Sequence, residues 1–81
     1  MAKLKNIGPK SAAWLNEAGI NTLSDLDIVG PVEAYHRVEA LGHHPSLNLL
    51  YAMQAAILNI NWIELPPEMR QSLRQQLEDL A

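Results

Sequence analysis

The chain has 81 residues, a formal net charge of −3 and no cysteine, with 48% hydrophobic and 19% charged residues. That length makes one domain with one modest core, and the hydrophobic fraction excludes an intrinsically disordered chain. Without cysteine there is no disulfide, no thiolate nucleophile and no cysteine zinc site. No apolar run approaches the ~20 residues of a membrane span, and no apolar signal-peptide core follows Met1-Ala2-Lys3-Leu4-Lys5. The expectation is a cytoplasmic binding or interaction module, since a chain this small rarely encloses a deep catalytic pocket.

In chain order, glycine and proline punctuate short stretches of helical period, and no stretch alternates apolar and polar residues as a strand would. Residues 2–6 can form a short helix carrying Leu4, broken by Gly8 at a turn expected to need positive φ. Pro9 suits the first turn of the next helix, which runs to Ala18 and closes on Gly19 as a left-handed residue. Thr22 can cap a helix from Leu23 to Val29, with Asp25 favourable to the dipole in its first turn. Gly30-Pro31 repeats the break and restart, and a helix from Pro31 to Leu41 ends at Gly42.

After the loop His43-His44-Pro45, Ser46 is a natural cap for a helix from Leu47 to about Ile60. Only Asn48, Gln54 and Asn59 are polar within that helix, so it is expected at the centre of the core, with Asn48 needing buried partners. Residues 61–65 turn a corner. Pro66-Pro67 then starts a last helix, Glu68 to Leu80, whose apolar positions Met69, Leu73, Leu77 and Leu80 form one stripe. The fold class is therefore all-α: five to six short helices packed around the apolar helix 47–60, in one domain over residues 1–81.

Charge is unevenly placed. Residues 1–10 hold all three lysines and no acid, whereas the rest holds three arginines against nine acids, a balance of −6. A basic tip on an acidic body invites an anion site at the tip. Lys3, Lys5 and Lys10 as ordinary solvated lysines is the plainer alternative.

The segment Leu4-Lys5-Asn6-Ile7-Gly8-Pro9-Lys10-Ser11-Ala12 resembles a helix-hairpin-helix motif. Leu4, Ile7, Gly8, Pro9, Lys10 and Ala12 match the usual pattern, and Asn6 stands where the first glycine usually sits. Asn tolerates positive φ better than most residues, so the turn can survive that change. A helix starting beside Gly8 presents unpaired amides and the positive end of its dipole, which favours an anion. The resemblance implies Lys5, Ile7, Gly8 and Lys10 as candidate nucleic-acid-binding residues, contacting phosphate without reading sequence. A weaker copy lies 22 residues on, with Leu26, Val29, Gly30, Pro31 and Ala34 at matching places and Val32-Glu33 where Lys10-Ser11 stand. The hairpins would span residues 4–18 and 26–41, the second degenerate and structural. A plain helix-helix corner is the competing reading of the first.

The wider chain is similar to the C-terminal domain of TfoX-type bacterial competence regulators. Three blocks carry that likeness: residues 4–11 with Ala18-Gly19-Ile20, Thr22-Leu23 and Asp25-Leu26; Ser46-Leu47-Asn48-Leu49-Leu50-Tyr51-Ala52; and Trp62 with Leu65-Pro66. The resemblance implies a small helical, bacterial, cytoplasmic domain associated with regulation of competence genes.

Other chemistry finds little footing. His43 and His44 are adjacent, so their side chains diverge in regular structure, and His36 belongs to the preceding helix; no metal or other cofactor is expected. No nucleophile or general base sits in a recognisable constellation, so no catalytic residue and no small-molecule substrate are expected. Trp14 and Trp62 read as core or core-edge residues more readily than as base-stacking platforms. Two functions stay open: a regulatory domain making weak phosphate contact with DNA, and a protein-interaction or dimerisation module whose hairpin only serves folding. The pI of about 5.4 favours the second.

Overall fold

The protein is described by a computed structural model covering residues 7–80. The expected helix over residues 2–6, with Lys5, lies outside the described residues. Five α-helices and one 3-10 turn follow: α1 Pro9–Glu17, α2 Leu23–Val29, α3 Pro31–Ala40, α4 Leu47–Leu58, the turn Trp62–Glu64 and α5 Pro67–Leu80. No strand occurs among the described residues. The architecture is all-α.

Each boundary has a local cause. At the end of α1, Gly19 takes φ +84 and the amides of Gly19 and Ile20 bond back to Asn16 and Leu15. That is a Schellman closure, and its outer residues Leu15 and Ile20 are both fully buried. Thr22 and Asp25 form a reciprocal capping box at the start of α2: the Asp25 amide donates to Thr22 Oγ1 at 3.0 Å and the Thr22 amide to Asp25 Oδ2 at 3.2 Å. α4 ends at Leu58, two residues before the expected Ile60, because Asn59 adopts φ +57 and the Ile60 amide closes on the Ala55 carbonyl.

The two Gly-Pro corners differ. Gly30 joins α2 to α3 with a single residue between them and takes φ +86, ψ 154. Gly8 does not adopt the expected positive φ: it is extended at φ −78, ψ 172, as the cap of α1. Ile7 before it is not helical, so the chain need not reverse within one residue there.

The core is shared by a central pair. α4 packs against α2, α3, α5 and the 3-10 turn, and α3 against α1, α2, α4 and α5. Leu50 and Met53 of α4 are fully buried together with Leu26 of α2 and Val38 of α3. The exposed residues of α4 lie at its ends, Leu47 and Asn48 at one and Leu58 at the other. The α5 stripe buries Leu73 fully, Met69 and Leu77 partly, and leaves Leu80 exposed. Arg70 of α5 lies 5.5 Å from the Tyr51 ring and 5.4 Å from the Trp62 ring and donates to the Trp62 carbonyl, pinning the 3-10 turn. The Tyr35 hydroxyl donates to the Pro45 carbonyl at 2.8 Å, which fixes the loop ahead of α4.

Candidate nucleic-acid interface

The interface begins at the first turn of α1. Gly8 caps the helix through its carbonyl, which accepts from the Ala12 amide at 2.9 Å. Pro9 has no amide, so Lys10 and Ser11 carry the first two amides that helix geometry leaves without an intrahelical acceptor. No acidic residue stands in that turn, so nothing within it neutralises the positive end of the dipole.

Beside this turn opens a groove of about 310 Å³. Lys10, Ser11 and Trp14 form one wall, and His44, Ser46 and Asn48 the other, with Leu49 and Ala52 at the base. The second wall is the start of α4, whose first turn also has no acid. Ser46 occupies the cap position of α4, as expected, but its side chain makes no capping bond. Asn48 is exposed on this wall and needs no buried partner, which corrects its expected place in the core. Among the described residues, two helix starts, one lysine and no carboxylate therefore frame one concavity.

A ladder of rings holds the groove's shape. The Lys10 ammonium lies 5.1 Å from the Trp14 ring centre. His43 stacks on Trp14 with centroids 4.8 Å apart and an interplanar angle of 18°. The far side of His43 is tied through Nε2 to the Glu17 carboxylate. Trp14 and Glu17 thus tie α1 to the loop before α4, with the half-buried Trp14 ring stacked on His43.

Of the residues implied by the hairpin resemblance, Gly8 and Lys10 are exposed, Lys10 in the groove wall, whereas the Ile7 side chain is packed into the core. Ile7 can anchor the turn but leaves only its backbone to face a partner. A side chain added at Gly8 would meet nothing within 4 Å among the described residues, so no packing among them demands glycine there. His44, Ser46 and Asn48 were not expected in the site. They reach it from more than thirty residues away in sequence, and only the cap role of Ser46 hinted at a helix start there. The adjacent histidines do diverge, one to Trp14 and one to the groove.

At the second corner the same positions carry opposite chemistry. Glu33 occupies the place of Ser11 and is paired with Arg37 at 3.0 Å along α3. No lysine or arginine among the described residues lines the concavity at that corner.

A short all-α domain with two Gly-Pro helix corners, one basic and one acidic, is the class these features define. The chain belongs to the TfoX C-terminal domain family, which it matches over residues 1–77. It is also similar to two crystal structures of proteins from Listeria monocytogenes. One, described as a protein of unknown function, shares 30% identity over 100% of both chains with a TM-score of 0.88. The other, described as uncharacterized, shares 30% identity over 98% of this chain and 90% of that one, with a TM-score of 0.87. No curated protein matches the chain. None of the helices among the described residues is long and apolar enough to cross a membrane.

Proposed function

We propose that this domain is a non-enzymatic, cytoplasmic regulatory module that touches the phosphate backbone of DNA through its first corner, without reading sequence. Family membership points to competence-related regulation. The observation that carries the DNA reading is the first turn of α1: amides without an intrahelical acceptor, an exposed Lys10 and no acid, opening on a groove whose other wall also lacks acids. Residues 4–18 are read as the binding hairpin and 26–41 as its degenerate copy, in which Glu33 opposes phosphate. The reading invokes no cofactor and no small-molecule substrate.

A protein-interaction module is the second reading, favoured by Ile28 and Ile63, which are 81% and 70% exposed, and by the acidic body.

Fluorescence anisotropy with two unrelated duplexes separates the two. Engagement of Lys5 and Lys10 releases about two counterions, so a fourfold rise in salt should weaken binding roughly 12- to 16-fold. Affinity is expected near ~10⁻⁴ M at physiological salt. Lys10→Glu should abolish binding to both duplexes alike, because phosphate contacts carry no base information. No binding by the parent protein, or binding indifferent to Lys10→Glu, would leave the protein-interaction reading standing.

A further inference from the structure

The second Gly-Pro corner opens a groove of its own, about 370 Å³, between the start of α3 and the end of α5. We propose that it docks a basic, apolar peptide segment of a partner protein. This site is separate from the DNA-facing corner and does not depend on that reading.

Where Lys10 and Ser11 stand at the first corner, Val32 and Glu33 stand at the second. The groove walls there are Val29, Pro31 and Val32 from the corner and Leu80 from α5. Leu80 is 46% exposed, so its side chain offers apolar surface that the domain's own core does not cover. Among the described residues, the charged ones that line the groove are Glu33 and Asp79, with no lysine or arginine. α5 also has no basic residue in its last turn, so the negative end of its dipole adds to the same field.

An apolar floor flanked by two carboxylates at a helix end matches a segment whose apolar side chains alternate with lysine or arginine. DNA is repelled by that field, and an acidic peptide is too. The existing partners of the carboxylates do not forbid the exchange. Glu33 is held by Arg37 in a solvent-exposed pair, and Asp79 by Gln75 Nε2 at 3.1 Å through one oxygen. Exposed pairs of this kind are weak, so an incoming cation can share or replace them.

The probe is a short, fluorescently labelled synthetic peptide with leucines at helical three- and four-residue spacing and lysines between them. A matched peptide carries glutamate in place of lysine. Anisotropy with the intact chain should show saturable binding of the lysine peptide and none of the glutamate peptide. The double variant Glu33→Gln, Asp79→Asn should weaken binding about three- to tenfold, as expected for two rim charges. The control Glu39→Gln, Glu68→Gln removes the same net charge from exposed positions outside the groove and should change it less than about twofold. Leu80→Ala should also weaken binding, and thermal melting of each variant establishes that it is folded.

Equal losses in the two double variants would mean diffuse attraction to an acidic body and overturn the proposal. So would equal binding of both peptides, which would make the groove merely apolar. Concentration-dependent self-association by sedimentation, lost in the groove variant and unaccompanied by peptide binding, would identify a second copy as the occupant and overturn it as well.

Discussion

Alanine placed at each of the two corner glycines tests whether the backbone difference between them is physical. Gly30 sits at φ +86, ψ 154, a region populated essentially by glycine alone, and forcing another residue there costs ~1–3 kcal/mol. No atom lies within 4 Å of the added Cβ, so the whole cost is backbone strain and not collision. Gly8, at φ −78, ψ 172, lies where any L-residue is comfortable, and its Cβ would also meet nothing. Two smaller effects then compete at Gly8. Alanine caps a helix less well than glycine, by up to ~1 kcal/mol. It also lowers the entropy of the unfolded chain, which offsets about 0.4–1 kcal/mol. The net effect at Gly8 should lie within about 0.5 kcal/mol of zero.

A domain of this size loses roughly 4–8 °C of Tm per kcal/mol. Thermal unfolding followed by circular dichroism should therefore show Gly30→Ala melting roughly 4–20 °C below the parent and Gly8→Ala within about 4 °C of it. If Gly8→Ala falls as far as Gly30→Ala, the first corner requires a left-handed residue and the extended geometry is wrong. A Gly30→Ala variant that melts with the parent would remove the strain argument altogether.

Leu50→Ala should cost ~2–5 kcal/mol, because the side chain is fully buried on the helix that meets most other elements; a denaturant midpoint close to the parent's would make α4 peripheral. Burial, and after it the Glu39 charge, raises the Tyr35 phenol above its ordinary value of 10.0. A group raised in the folded state contributes fully below its unfolded pKa and loses that contribution as pH climbs through the folded value. Melting midpoints should therefore drop as pH passes about 10, and Tyr35→Phe should remove that part of the drop. An unchanged pH profile in Tyr35→Phe would contradict the assignment. The same variant loses the hydroxyl bond to the Pro45 carbonyl, so at neutral pH it should be about 1 kcal/mol less stable.

The helices were legible because their stop signals are chemical and local. Thr22 with Asp25, Gly19, and proline at the first turns of α1, α3 and α5 each solve a terminal hydrogen-bond problem that a reader of the sequence can pose in advance. The end of α4 was less legible, since Asn59 fills a left-handed position that the sequence marks clearly only when glycine holds it. Gly8 and Gly30 show the harder limit. Both precede proline, yet their φ values are opposite in sign. What separates them is the distance over which the chain must turn, and that depends on whether the residue before the glycine is helical.

The site divides in the same way. Lys10 and its bare helix start could be read from one segment, because the amides and the charge that would meet a phosphate belong to a single turn. The other wall could not. His44, Ser46 and Asn48 join it only because Tyr35 fixes the loop before α4 and because the Trp14, His43 and Glu17 ladder draws α1 onto that loop. Each of those contacts spans a gap in sequence that no periodicity crosses.

The repeated corner is informative for the same reason. A Gly-Pro break followed by an alanine three residues after the proline is a folding device, and it works at both places with different backbone angles. The residues between proline and alanine differ: Lys10-Ser11 at one corner, Val32-Glu33 at the other. Part of the exchange serves folding at the second corner: Glu33 stands in the first turn of α3, where its charge suits the dipole, and pairs with Arg37 four residues on, and Val32 packs in part against the core. The two proposed sites add to this a pair of faces turned to partners of opposite charge.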